Sequence, residues 1–131
     1  MITCNFNGRL GNNLFQIATV AASANKLNVD FVLPEITHAG HRGDIPVDLS
    51  MFDYNFNRGA YNTDIEYHEK EFEYIEITPI DDLKIGGFFQ SAKYFDSIKD
   101  LLINKYFKPS KEISDILLKY DISENSLGCL L

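Results

Sequence analysis

The chain has 131 residues, 45% of them hydrophobic and 24% charged, which is enough for one domain with a core of its own. Its formal net charge of −7 argues against general binding to nucleic acid or anionic membranes, because both need a basic surface. No apolar run approaches the roughly 18 residues of a membrane span, and no signal peptide is predicted. We therefore expect a single domain over residues 1–131 with no membrane span.

The first part of the chain has the pattern of a βαβ unit. Residues 1–6 are short and apolar, as in a buried strand, and residues 13–27 carry apolar side chains at helical spacing. A second apolar strand at residues 30–33 is closed by Pro34. Strand, helix and strand in this order predict parallel strands joined by a right-handed crossover.

Two further strands are predicted in the middle of the chain. Residues 72–77 alternate between polar and apolar side chains, as an exposed strand does. Residues 83–89 form the second candidate, in which Gly86 and Gly87 indicate a bulge or a close approach of the backbone.

The last part of the chain alternates helix and strand again. Helices are predicted at residues 93–107, which Pro109 stops, and at residues 110–120. Residues 127–131 begin a last apolar strand. The whole pattern predicts an α/β fold, with a Rossmann-like parallel sheet flanked by helices on both faces.

Neither cysteine belongs to a metal motif. Cys4 and Cys129 lie in apolar, strand-like contexts, and no C-x-x-C or His/Cys cluster accompanies them. A disulfide between them is one alternative, but reduced core cysteines fit a cytosolic chain better. There is also no Asp-x-Asp metal-binding motif.

The turn NGRLGN between the first strand and the first helix is the best candidate site. Gly8 and Gly11 suit a tight turn that brings backbone close to a ligand, and a helix start after a strand favours an anion such as phosphate. Arg9 adds a permanent charge and Asn12 an amide. The alternative is a turn without a ligand, in which Asn12 or its neighbour caps the helix and Arg9 is solvated.

A second candidate site lies where the strand at residues 83–89 meets the next helix. Gln90 and Ser91 stand at this junction, and ligands often bind at such places. These two side chains either face a cleft or cap the helix.

Two motifs resemble one enzyme family. Residues 8–18 (GRLGNNLFQIA) resemble the G-x-L-G-N-Q-x-F-Q-x-A motif of the α-1,2-fucosyltransferases, glycosyltransferase family 11. Residues 86–95 (GGFFQSAKYF) resemble its G-Y-F-Q-S-x-K-Y-F motif. Asn13 stands where the family has Gln, and Phe88 where it has Tyr.

The resemblance implies a fold, a reaction and a set of site residues. The fold is the N-terminal domain of a GT-B-like glycosyltransferase, and the reaction is inverting transfer of L-fucose from GDP-fucose to a galactoside hydroxyl, in α-1,2 linkage. GDP-fucose is the donor substrate, and no metal or other cofactor is implied. The catalytic base remains unassigned. The implied substrate-binding residues are Gly8, Arg9, Gly11, Asn12, Gln90 and Ser91.

The resemblance also predicts how much of a family member this chain covers. Residues 125–131 (NSLGCLL) are similar to the lead-in of the family's H-x-R-R-G-D motif, whose arginine is thought to grip the donor diphosphate. We therefore expect an N-terminal half that lacks the donor-binding half and is inactive or incomplete alone. It would lie in the cytoplasm, or peripherally at a membrane where glycans are assembled. The alternatives are half of a split enzyme, completed by a second subunit or a homo-oligomer, and a non-catalytic glycan- or phosphate-binding module.

A histidine-containing loop is the remaining candidate. Residues 41–44 (HRGD) resemble that missing motif superficially, but they follow no strong strand, so a polar surface turn is the better interpretation. In the alternative, the loop faces the acceptor sugar with His38 or His41 near a hydroxyl.

Overall fold

The structure, a computed structural model, describes residues 1–70, 74–113 and 115. Short strands surround one long helix in this part of the chain. The strands and the long helix follow in the order β1 (Thr3–Cys4), α1 (Leu10–Leu27), β2 (Ile36–His38), β3 (Asp44–Pro46), β4 (Ile65–His68) and β5 (Leu83–Gly86). They are followed by 3-10 turns at Ala92–Tyr94 and Asp96–Ile98, by α2 (Lys99–Leu101) and by a π-helical turn at Leu102–Tyr106.

The centre of the fold is a parallel sheet with β5 in the middle. β1 pairs with β5 in the register Cys4↔Ile85, and β4 pairs with it along its whole length. The residues on either side of β1 extend the sheet through the parallel bridges Ile2↔Phe31 and Asn7↔His38. β2 and β3 form an antiparallel hairpin at that side.

The helix α1 covers one face of this sheet. Its inward residues are mostly small, which lets the helix axis approach β1 closely, and Ile17 and Ala18 have no exposed surface. The side chains of Ile2, Cys4 and Phe6 are at most 1% exposed. The helix ends where Asn28 takes a left-handed conformation (φ 56°), which Asn tolerates well, and the backbone N–H of Asn28 bonds the carbonyl of Asn25.

The βαβ prediction is correct in the order of its segments and in their parallel direction, but not in their bounds. The helix begins three residues earlier than predicted, and the segment at residues 30–33 contributes single parallel bridges at Phe31 and Leu33 instead of a regular strand. Arg58, the bridge partner of Leu33, donates through its guanidinium to the carbonyls of Pro34 (2.8 Å) and Val47 (3.0 Å).

The predicted strand at residues 72–77 is wrong over residues 74–77, while residues 72 and 73 lie outside the described residues. The alternation there does not produce a strand, because β4 occupies the free edge of β5 instead. Ile75 is exposed, and its N–H donates to the hydroxyl of Tyr94.

The predicted helix at residues 93–107 is also wrong as one continuous element. The backbone leaves helical geometry at Phe95 (φ −134°, ψ 12°) and again at Ile98 (φ −118°, ψ 22°). The apolar stripe is real, but its two ends pack on different partners. The ring of Phe95 meets Phe15 of α1, whereas that of Tyr106 meets Phe31.

The predicted fold class is confirmed at its coarser level. The described residues form a mixed α/β structure with a small three-stranded parallel sheet and helices. Most of the predicted helix at 110–120 and the whole strand at 127–131 lie outside the described residues, as does Cys129, whereas Cys4 is a free, buried thiol. None of the described helices is long and apolar enough to span a membrane.

Candidate functional site

The two candidate segments leave the sheet at the same edge. β1, β4 and β5 are parallel, so their carboxyl ends lie together, and open α/β sheets bind ligands at that edge. The first motif follows β1, and the second begins at the last residue of β5.

The turn after β1 requires glycine at one position. Gly8 has φ +82°, and an added Cβ would collide with the side chain of Asn12. Its N–H donates to the carbonyl of His38 (2.8 Å), and its carbonyl accepts from the hydroxyl of Thr37 (2.8 Å). The turn is therefore held against β2.

Two buried amides connect this turn with the second motif. The Gln16 side chain is completely buried, and its Nε2 donates to the carbonyls of Asn7 (3.2 Å) and Gly87 (2.9 Å). Asn13, 1% exposed, donates to Gln16 Oε1 (3.1 Å) and to Thr37 Oγ1 (3.2 Å). The amide of Gln16 thus bridges β1 and β5 just beyond the point where their own pairing ends.

The two motifs also meet at the surface. Gln90 Nε2 donates to Asn12 Oδ1 over 2.9 Å, across 78 residues of sequence. Asn12 lies in the first turn of α1, so the capping alternative for Asn12 and Asn13 is wrong: the N-cap residue is Arg9. Ser91 Oγ accepts from the N–H of Lys93 (3.4 Å), so it caps the short turn that follows.

The start of α1 is open to an anion. Arg9 makes no side-chain cap, no acidic residue lies in the first turn, and the first N–H bonded along the helix is that of Asn13, to the carbonyl of Arg9 (3.0 Å). The N–H groups before Asn13 therefore point out of the helix end. With the aligned peptide dipoles, they favour negative charge there.

Gly11 does not belong to the tight turn, contrary to the prediction. It lies in the first turn of α1, and an added Cβ would have no atom within 4 Å. A helical glycine costs roughly 1 kcal/mol against alanine, and nothing in the packing of the described residues requires one here. Its exposed backbone leaves room for a close approach from outside.

Several carboxylates and histidines lie at this edge. His38 was a candidate to face an acceptor hydroxyl, whereas His68 was not singled out by the sequence. Glu69 follows β4, and its Oε1 accepts from the N–H of Phe88 (3.3 Å), which orders the second motif. His68 Nε2 lies 3.2 Å from Glu66 Oε2, and His38 Nδ1 contacts the carboxylate of Asp44. The paired glycines Gly86 and Gly87 at the end of β5 indicated a close approach in advance. This prediction is confirmed, because a Cβ on Gly86 would lie 2.9 Å from His68 Nδ1.

The tip of the β2–β3 hairpin is a polar surface turn, as predicted for residues 41–44. Residues 41–44 are exposed, and the 3-10 turn Gly40–Arg42 connects β2 with β3.

One of two surface clefts lies away from both motifs, whereas the lining of the other includes Lys93 and Tyr94 of the second motif. The first, of about 380 Å³, is lined by residues between Val47 and Arg58. The second, also of about 380 Å³, lies between the second half of α1 and residues 74–79. Desolvation lowers the pKa of Arg58, whose guanidinium donates to the carbonyls of Pro34 and Val47. Among the described residues, no group of three or more His, Cys, Asp or Glu side chains could hold a metal ion.

Comparison with known proteins adds no relative. A scan against protein-family models gave no match, and neither curated proteins nor solved structures gave one. The family resemblance therefore rests on the two sequence motifs.

Proposed function

We propose that this chain is a fucosyltransferase-like protein whose parent activity is the transfer of L-fucose from GDP-fucose to a galactoside hydroxyl, in α-1,2 linkage. The observation that carries the proposal is the meeting of the two motifs. Two hydrogen bonds join the motifs. Gln16 bonds to Gly87, which is 71 positions away in the sequence, and Gln90 bonds to Asn12, which is 78 positions away. Residues that resemble one family's two motifs thus form one surface at the ligand-binding edge of a parallel sheet.

The start of α1 is the proposed place for the donor's diphosphate. Its outward N–H groups would bind phosphate oxygens, Gly11 would allow them to come close, and Arg9 would supply a permanent charge. Asn12, oriented by Gln90, would add an amide donor. The proposal includes no metal ion or other cofactor, because Arg9 and the helix end would take the charge of the leaving diphosphate.

The proposed fold assignment goes further than the mixed α/β class. We propose a Rossmann-like domain corresponding to the N-terminal domain of a GT-B-like enzyme. The parallel order β1–β5–β4 and the glycine turn that leads into α1 support it.

The chain by itself would have little or no transferase activity. Among the site residues named here, Arg9 is the single permanent cation, and a diphosphate is usually held by several. A second subunit or domain would supply the remainder, as in a split enzyme. A radiolabelled GDP-fucose transfer assay on the chain alone should give no product above background. Robust turnover would refute this part of the proposal.

Binding of the donor is tested by calorimetry. GDP and GDP-fucose should bind weakly, and Gly11→Ala and Asn12→Ala should each weaken binding by roughly tenfold, about 1.4 kcal/mol. Ser50→Ala, in the distant cleft, is the matched control and should bind as the wild type does. Equal affinity in all variants would contradict the proposed site.

A phosphate-binding module without transferase ancestry is the second candidate. The open helix start favours it as much as it favours a sugar nucleotide, because such an end binds any phosphate. ADP and ATP distinguish the two. Binding of ADP as tight as that of GDP, with no gain from the fucosyl group, would favour the second candidate.

A further inference from the structure

The strand β4 lies at an edge of the parallel sheet. Among the described residues it pairs with β5 alone, and the order β1–β5–β4 leaves its other side without a strand. An unpaired strand offers a row of backbone N–H and C=O groups to another strand. We call residues 64–70, on the side that faces away from β5, the outer edge of β4.

The direction of the backbone groups along β4 follows from one hydrogen bond. The N–H of Glu69 donates to the carbonyl of Gly86 over 2.8 Å. Because every second residue of a strand bonds to the same neighbour, the backbones of residues 65, 67 and 69 face β5. Those of residues 64, 66, 68 and 70 therefore face away from it. The side chains at these outward positions are all exposed: Asp64, Glu66, His68 and Lys70.

The order of polar side chains along the outer edge is complementary to itself. If a second copy pairs antiparallel with Tyr67 at the twofold axis, residue 64 lies opposite residue 70 and residue 66 opposite residue 68. Asp64 then meets Lys70 of the second copy, and Glu66 meets its His68. The carboxylate and imidazole of the latter pair also contact each other within one chain, where His68 Nε2 lies 3.2 Å from Glu66 Oε2. Each outward side chain would thus face a group that attracts it.

The backbone geometry fits the same register. Outward residues must lie opposite each other, because only such pairs exchange two N–H···O bonds. Registers centred on Glu66 or on His68 also meet this condition. They set two carboxylates or two imidazoles opposite each other, however, and they separate Asp64 from Lys70. Like charges directly opposite each other destabilise a strand pair, so the register centred on Tyr67 is favoured.

Side chains on both faces of the sheet are compatible with this pairing. Lys84 of β5 is the register partner of Glu66 and lies on the same face, so Glu66 would have Lys84 on one side and His68 of the second copy on the other. On the opposite face, Ile65 is 41% exposed, and Tyr67 packs against the core. The diagonal neighbour of Ile65 across the axis is Tyr67 of the second copy, whose ring would cover this apolar surface.

We propose that β4 pairs with β4 of a second copy of this chain, antiparallel and centred on Tyr67, and joins two three-stranded sheets into one. Both copies use the same surface, so the contact closes on itself and gives a dimer instead of a fibre. β5 lies between β4 and the strand that leads into α1, so the contact does not include the start of α1. The pairing therefore goes beyond the proposed function and does not depend on it.

Sedimentation velocity of the whole chain tests whether the dimer forms. A strand-to-strand contact is small, so we expect a weak dimer with a dissociation constant on the order of 10–100 μM. The experiment is done in reducing buffer, which excludes a disulfide between copies through Cys129. A monomer at every concentration that brackets this range would overturn the proposal.

Exchange of the charges at the two ends of the outer edge tests the register. Asp64→Lys and Lys70→Asp each place like charges opposite each other, and each should weaken the dimer by at least about fivefold. The double variant restores opposite charges and should return the dissociation constant to within about twofold of the wild-type value. Asp100→Lys and Lys99→Asp, both exposed on α2, are the matched controls and should leave it unchanged. A double variant as weak as the single ones would overturn the proposed pairing.

Amide hydrogen exchange of the wild-type chain decides the proposal even if a variant fails to fold. The N–H groups of Glu66 and His68 face outward, so they should exchange more slowly as the concentration rises through the dissociation constant. Exchange at these two residues that does not depend on concentration, or slowing confined to other elements, would overturn the outer edge of β4 as the contact.

Discussion

Two glycines three positions apart in the first motif have different physical roles. Gly8 has a conformation that other residues rarely adopt and presses against Asn12, whereas Gly11 is an ordinary helical residue with open space outside it. Packing within the described residues accounts for the first and leaves the second unexplained. This difference makes Gly11 the more informative residue for ligand binding.

The two glycines should respond in opposite ways to alanine. Gly8→Ala should lower the free energy of unfolding by about 1–3 kcal/mol, because of strain at positive φ. Gly11→Ala should raise it by up to about 1 kcal/mol, because alanine favours the helix. Urea unfolding followed by circular dichroism measures both. A Gly8→Ala protein as stable as the wild type would contradict the described turn.

Cys4 should be inert in the folded protein. Burial raises the pKa of its thiol well above the ordinary value of 9.0, so the reactive thiolate does not form near neutral pH. In a Cys129→Ser variant, which isolates this thiol, a thiol-specific reagent at pH 8 should react only after denaturant is added. Rapid reaction of the native variant would show that Cys4 is not buried.

The raised pKa of the Cys4 thiol also makes the stability of the fold depend on pH, and the direction of that dependence follows from the shift. Because the folded-state pKa of Cys4 is raised, its contribution to stability is fully present below the unfolded value of 9.0. That contribution is lost as the pH rises from there toward the folded pKa. The Cys129→Ser variant should therefore lose stability above pH 9 more steeply than a variant that also carries Cys4→Ala.

At the scale of elements, Gln16 should be critical for joining β1 to β5. Gln16→Leu keeps the size of the side chain but leaves the partly buried carbonyl of Gly87 without its donor. We expect a loss of about 1–3 kcal/mol in the free energy of unfolding, measured by urea titration. Gln90→Ala, the exposed counterpart, should change it by less than about 0.5 kcal/mol. Equal, small effects would mean that the amide of Gln16 does not hold the two strands together.

Local patterns predicted the elements whose partners are near in sequence. The helix α1 and its parallel flanking segments followed from one small, apolar stripe between two apolar runs. The stripe at residues 93–107 failed as a helix, because Phe95 and Tyr106 bury their rings on different partners. The strand predicted from the alternation at residues 74–77 is absent, because β4 pairs with the edge of β5.

The candidate site was predictable in its residues but not in its connections. The glycine turn and the junction at Gln90 were visible as motifs, and Gly86 signalled a close approach. That Asn12 meets Gln90 depends on packing across 78 positions, which no local pattern encodes. The imidazole above Gly86 likewise depends on the register of β4, so the sequence alone did not single out His68.

At the scale of the whole molecule, the net charge of −7 is not spread evenly over the surface. The start of α1 lacks acidic residues in its first turn, while carboxylates of Asp44 and Glu66 lie on the opposite face of the sheet. Charge is therefore unevenly distributed at this edge, and the start of α1 is the part of it where we propose a phosphate.

The most direct test of the central claim is a titration of the isotope-labelled chain with GDP, followed through backbone amide resonances. If the two motifs build one nucleotide site, the amides of residues 8–12 and of Gln90 should shift together, along one binding curve. The side-chain amide of Asn12 should follow the same curve. Shifts confined to one motif, or to neither, would contradict a site shared by both.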